Sequence, residues 1–353
     1  MSVTTQGSPG DVAPSGRMLR VSPLRRLLVR PETGAVAGSI AVWIFFAIIS
    51  TSSFLSLRGT ANYLTVAADI TIQAVPVALL MIGGEFDLSV GSTMGTSGMI
   101  IAILSVTYGW NLWAAIVVAL LFSVLVGLLN GYLVLRTGLP SFIITLGTAY
   151  ILLGTTTGLT SFLTGLTEVS GVDQTAGYNL AHTLFAGKIL IGGVGFPVDI
   201  LWAVAVVVVA TWLLLGTPFG NWIFGVGGDS QAARNVGVPV RRVKLLLFAG
   251  TAVFSCLLAI IQVVTFTSSQ VLLGQGNEFQ AIVAAVIGGV LLTGGYGSAV
   301  GAMFGALVFG IVQQGIVFAG VDANWYKAFV GVILLLAVLL NTYVRKLAME
   351  KRR

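Results

Sequence analysis

The residues able to do chemistry gather in a few short stretches. The first is Ile82-Gly83-Gly84-Glu85-Phe86-Asp87-Leu88-Ser89-Val90-Gly91-Ser92, where two carboxylates interrupt an apolar pattern. A carboxylate at a helix start accepts backbone N–H bonds and meets the positive end of the helix dipole. Asp87 therefore reads either as the cap of the helix that follows or as part of a polar passage. Gly83 and Gly84 supply the backbone freedom for a bend. The second stretch runs from Gly225 to Pro239 and reads as a short capped helix. Asp229 is its cap after Gly227-Gly228, and Ser230, Ala232, Ala233 and Arg234 form its body. Gly237 suits a left-handed stop, and Pro239 prevents continuation. It is either a generic loop helix or a knob whose small face, Ala232 and Ala233, enters a partner's groove. The third stretch, Gly288-Gly289 through Gly294-Gly295-Tyr296-Gly297-Ser298 to Gly301 and Gly305, loosely echoes the first. Asp69 and Gln73 lie one helical turn apart, so they share a face, either in an interhelical hydrogen bond or along a passage.

Catalytic machinery is not encoded in any pattern that could be found. A phosphate-binding loop needs GxxxxGK[ST], but the one Gly-Lys pair, Gly187-Lys188, is followed by Ile189 and has His182 where the first glycine belongs. HExxH is absent, and the single histidine sits in a loop, which disfavours zinc or histidine relays. Cys256 is the only cysteine, so no disulfide forms within the chain. No catalytic residue, metal ligand or bound cofactor is expected.

The elements that must position these stretches follow from composition. The 353 residues are 56% hydrophobic and only 8% charged, with a mean hydropathy of +1.00. A water-soluble domain needs about 25% charged residues at its surface. The solvent is therefore lipid. A bilayer core of about 30 Å takes roughly 20 apolar residues per helix, and windows of that kind fall at 36–57, 63–82, 90–106, 112–135, 142–163, 199–215, 245–267, 279–293, 299–319 and 325–344. The expected fold is an all-α polytopic membrane protein of about ten helices. The window 279–293 is the shortest and ends in glycines, so it reads as a span or as a re-entrant half-helix. Residues 1–34 read as a disordered tail without the apolar core of a signal peptide, 35–344 as the membrane domain and 345–353 as a basic tail. With ten spans, the basic residues lie on the side of both termini except Arg58, Lys188 and Lys327, which places the termini in the cytoplasm and 164–198 outside. Because those basic residues form short flanks and no solvated face, nucleic acid is not an expected partner. Many of the 45 glycines lie within spans, where they serve either close helix packing or unwound backbone along a passage.

The segment from Gly83 to Ser92 resembles the GGIDLSVGS motif of the ribose-type permeases of bacterial ABC importers. Asn130-Gly131 with Pro140-Ser141-Phe142-Ile143-Ile144-Thr145-Leu146-Gly147-Thr148 is similar to that family's NG and PPFIVTLGT. Gly227 to Gly237 resembles its GGNPEAARLSGI loop, and Ala284 to Ser298 its VVIGGTSLSGGRGS. Two departures stand out: Glu85-Phe86 replaces one apolar residue, and Tyr296 stands where the family often has Arg. The resemblance implies a type II ABC importer-like permease in the cytoplasmic membrane that carries a monosaccharide or polyol. It further implies a second copy of the permease, a cytoplasmic ABC ATPase that holds ATP and Mg, and a periplasmic or lipid-anchored sugar-binding protein. On that reading the loop Gly228, Asp229, Ser230, Ala232, Ala233, Arg234 and Gly237 docks the ATPase. Candidates for the pathway are Asp69, Gln73, Glu85, Asp87, Ser89 and Thr145. An ion-coupled carrier is the alternative, with Asp69 as its main deep ionisable group, and a membrane enzyme would need a clustered reactive set that the sequence does not display.

Overall fold

In lipid every backbone N–H and C=O must find a partner within the protein, and a helix supplies all of them locally. A computed structural model of the chain describes residues 31–326 together with positions 328, 329, 331, 332 and 335, and most of the described residues in its apolar windows are helical. The helices are α1 (Pro31–Ile49), α2 (Thr51–Phe54), α3 (Leu57–Ile82), α4 (Val90–Ala102), α5 (Leu112–Thr137), α6 (Ser141–Thr164), α7 (Tyr178–Ala181), α8 (Asp199–Gly216), α9 (Pro218–Gly228), α10 (Ser230–Asn235), α11 (Val240–Phe266), α12 (Asn277–Ile287) and α13 (Ala299–Phe318). A π-helical turn carries α4 on to Thr107.

Among the described residues, eight helices are long and apolar enough to cross a bilayer: α1, α3, α4 with its π turn, α5, α6, α8, α11 and α13. The eighth expected window, 279–293, contains only the 11-residue α12, about half of what a span requires. It is a half-length helix, but the segment around it runs from Ser268–Gln270, paired with Glu168–Ser170, to Gly295, bonded to Ile82, so it joins opposite ends of the bundle and is not re-entrant. The tenth window, 325–344, and the tail 345–353 lie largely outside the described residues, as do residues 1–30. Helix α1 begins at Pro31, so residues 31–34 belong to a helix and not to the tail, with proline in the first turn where its missing N–H costs nothing. Helix α11 begins at Val240, which puts Arg241, Arg242 and Lys244 in its first turns and not in the preceding loop.

Helix α3 is the centre of the bundle and packs against α13, α8, α12 and α11, while α11 also covers α5 and α4. Close approach depends on absent side chains. A Cβ at Gly301 or Gly305 of α13 would lie 2.1 Å from Gly288 O or 1.9 Å from Ala284 O, so α13 rests directly on the backbone around α12. That is the packing reading of the glycine stripe.

The bundle has two chemically different ends. Helices α5 and α11 are antiparallel, for Gly131 near the end of α5 meets Leu245 and Phe248 near the start of α11. Arg136, Arg234, Arg241, Arg242 and Lys244 thus share one end. Arg58 and Lys188 lie at the other, where residues 164–198 fold back on the helices. There β1 (Glu168–Ser170) pairs antiparallel with β4 (Ser268–Gln270), and β2 (Lys188–Ile191) with β3 (Val194–Pro197). The β2–β3 turn is Gly192-Gly193 with φ of 58° and 80°, the left-handed pair that a tight hairpin requires. Aromatic side chains anchor this end: the Tyr178 hydroxyl donates to Val264 O at 3.0 Å, and Phe185 stacks on Trp202 at 5.5 Å.

Candidate functional site

The segment between α3 and α4 is non-helical; Gly83, Gly84 and Glu85 bond back to α3, and the N–H groups of Phe86 and Leu88 take partners from elsewhere. Helix α6 supplies them. Ser141 and Thr145 stand one turn apart on the same face, and their hydroxyls accept from Phe86 N at 2.9 Å and Leu88 N at 3.0 Å. Helix α6 is otherwise among the least buried spans, and these two residues, together with Thr156 bonded to Thr96 of α4, tie it to the core. Asn130 of α5 completes the tie, donating to Ser89 Oγ at 2.9 Å and accepting from Thr148 Oγ1 at 2.7 Å.

Asp87 is 1% exposed and does not cap α4. Its Oδ1 accepts from the N–H and hydroxyl of Ser89, at 2.9 and 2.6 Å, and its Oδ2 from the Thr251 hydroxyl of α11 at 2.7 Å. The geometry corrects the local expectation: the carboxylate turns back on the residue before the helix and crosses to a distant span. Glu85, the charge added in this chain's motif, forms an ion pair with Lys244. Glu85, Asp87, Ser89 and Thr145 are therefore all buried at the basic end, Asp87 and Ser89 bonded to each other, Thr145 holding Leu88 N and Glu85 paired with Lys244.

Three loops touch there through backbone alone. Gly295 N donates to Ile82 O at 2.8 Å, and a Cβ on Gly227 would fall 1.7 Å from the same oxygen and 2.7 Å from Gly295 N. Gly294 packs as closely on Gly84. The two echoing glycine stretches meet in space, with the end of α9 between them.

From Gly227 the chain passes directly into α10. Asp229 Oδ1 accepts from Gln231 N and Ala232 N, both at 2.9 Å, and Gly237 takes a φ of +88°. Ser230, Gln231, Ala232 and Arg234 reach the surface or its margin, whereas Ala233 is buried against its own chain. The expectation of a small two-alanine face for a partner is corrected in that respect: Ala232 is exposed, whereas Ala233 is buried beside Gly225 of α9. Val236, 81% exposed just beyond α10, is the most exposed large apolar side chain here. Sequence reasoning passed over it because a lone valine in a loop has no periodicity to read.

Asp69 and Gln73 lie elsewhere, midway along α3, on a cavity of about 310 Å³. Gln262 of α11 donates to Asp69 Oδ2 at 2.7 Å, and Gln73 donates to Ser255 Oγ at 3.3 Å. Asn277 and Gln280 of α12 and Gln313 of α13 join the lining, along with Tyr326. These amides were also missed, being isolated polar positions on separate helices. Among the described residues there is no cluster of three or more His, Cys, Asp or Glu able to hold a metal ion.

Residues 59–338 match the family model described as branched-chain amino acid transport system / permease component. The autoinducer 2 import system permease protein of Photorhabdus laumondii is 33% identical, covering 80% of this chain and 81% of its own length. The xylose transport system permease protein of Escherichia coli is 32% identical over 88% of this chain and 91% of its own. The ribose import permease protein of the same organism is 32% identical over 86% and 92%. No solved structure matches.

Proposed function

The chain belongs to the family of branched-chain amino acid transport system permease components, and from that premise we propose that it is the membrane-spanning subunit of an ATP-driven importer for a monosaccharide or related polyol. The observation that carries this reading is the similarity to xylose and ribose permeases along more than four fifths of the chain. No phosphate-binding loop occurs in the sequence, so the energy comes from a separate ATPase holding ATP and Mg. Helix α10 is the element that engages it, being short, capped and surface-placed at the basic end. Both termini and that end face the cytoplasm of a bacterial cell, by the bias of basic residues. The opposite end, with the β2–β3 hairpin, receives an external binding protein, and a second copy of the chain completes the path.

The test is co-expression with candidate ATPase and binding-protein partners, purification, and reconstitution into vesicles. ATP-dependent uptake of radiolabelled D-ribose or D-xylose, absent without the ATPase, is expected. Uptake by the chain alone, driven by a proton or sodium gradient, would replace this reading with an ion-coupled carrier.

A further inference from the structure

We propose that the cavity among α3, α11, α12 and α13 is a solute-binding site contained within a single copy of the chain, built for a neutral polyhydroxylated molecule. The inference rests on the import reading above and adds a site to it, separate from any path between two copies.

The lining carries the argument. Asp69, Gln73, Gln262, Asn277, Gln280 and Gln313 bring one carboxylate and five primary amides to a space with no basic residue in its wall. A primary amide both donates and accepts, as does a hydroxyl, so amides beside a carboxylate match adjacent hydroxyls. Two lining atoms lack any partner: Asp69 Oδ1 and the Tyr326 hydroxyl are shielded and make no hydrogen bond among the described residues. Buried polar groups are ordinarily satisfied, and one left bare is costly, so a missing partner at two points of one cavity signals an occupant. Asp69 Oδ2 is already held by Gln262, which fixes the carboxylate with its other oxygen free.

The class of occupant follows from what surrounds these groups. A bound hard cation needs six or more converging oxygens, whereas here amide nitrogens and the apolar side chains of Ile70, Met94, Leu258 and Leu273 share the wall. Apolar surface with a few directed polar groups suits the C–H faces and hydroxyls of a sugar. A volume of about 310 Å³ is at the lower end of the roughly 300–1,000 Å³ of ligand pockets. The placement agrees: Asp69 lies midway along α3, and the broken helix α12 contributes from its first turn, an arrangement by which transporters build sites at mid-membrane depth.

The experiment uses the full chain in detergent without partners and saturation-transfer NMR with D-ribose, D-xylose and ribitol as probes. Saturable transfer to at least one probe is expected. Gln313→Leu and Gln280→Leu, on different helices, should each weaken it at least tenfold while keeping the wild-type thermal midpoint and monodispersity. Binding that both folded variants retain undiminished would overturn the site's location. Absence of transfer from every probe would overturn the site, and sodium-dependent thermal stabilisation in place of transfer would overturn its ligand class. Vesicle uptake with ATPase and binding protein separates the two readings: uptake that persists when the lone chain binds nothing sinks this site and spares the importer, and failed uptake sinks the importer.

Discussion

Asp87 shows how little a residue's neighbours in sequence say about its work. Its position before an apolar run suggests a helix cap, yet the side chain accepts two bonds from Ser89 and one from Thr251. Nothing local encodes the second partner, which is 164 positions away. Hydrogen bonds to a charged acceptor contribute about 1.5–3 kcal/mol each, and removing the acceptor leaves buried donors unpaired. Asp87→Ala should therefore lower the thermal midpoint of the purified chain by several degrees or prevent its recovery from the membrane. Asp87→Asn should be milder, because the amide oxygen still serves Ser89 and the Thr251 hydroxyl also bonds Phe248 O. Equal midpoints for wild type and Asp87→Ala would show that the network is not holding the loop. Asp229 is the opposite case. Its two cap bonds are local, to Gln231 N and Ala232 N, and its role was legible from the Asp, the two alanines and the closing glycine and proline.

At the scale of elements, the glycine junction ties α9, and through it the proposed docking helix α10, to the core. Gly227 is the critical point, because any Cβ there would overlap Ile82 O, a backbone atom that cannot rotate away. At Gly228 beside it, an added methyl would meet nothing within 4 Å. Overpacking costs about 1–3 kcal/mol where neighbours yield, and here the loops at 82–85 and 294–295 would have to part. Gly227→Ala should abolish or uncouple uptake in the assembled transporter, and Gly228→Ala should transport near the wild-type rate. Indistinguishable rates for the two would dismiss the junction as a transmission point. The surface beyond α10 makes a separate claim. Val236 is exposed while Ala233 is spent on its own chain, so a charge at 236 should act on the partner and not on folding. Val236→Asp is expected to weaken ATPase co-purification at least tenfold without changing the midpoint of the lone chain. Retention of the ATPase at wild-type yield would move the docking surface elsewhere.

For the whole molecule, composition was enough to reveal the spans, because lipid imposes long uncharged runs that no soluble fold needs. It failed where that rule weakens. Helix α12 is apolar but half-length, and only its packing under α13 and beside α3 explains how so short an element stays at membrane depth. The strands of 164–198 and 268–270 escaped notice because each is 3 or 4 residues long and two of them pair across almost a hundred positions. Charge, by contrast, sorted correctly between the ends of the bundle: Arg136, Arg234 and the start of α11 are together, and Arg58 and Lys188 are opposite. Positive residues are retained on the cytoplasmic side during insertion, which turns that sorting into an orientation with a direct test. Cys256 is fully buried, and a Cys256→Ala background removes the one native thiol. In that background His182→Cys, at an exposed position beside the hairpin, should react with a membrane-impermeant maleimide on intact cells. Arg234→Cys, exposed on α10, should react only after the membrane is broken. The reverse pattern would invert the molecule and put α10 out of reach of a cytoplasmic ATPase. Labelling of both from outside would require an odd number of crossings between residues 182 and 234 to be abandoned, and with it the role of α8 (Asp199–Gly216) as a span.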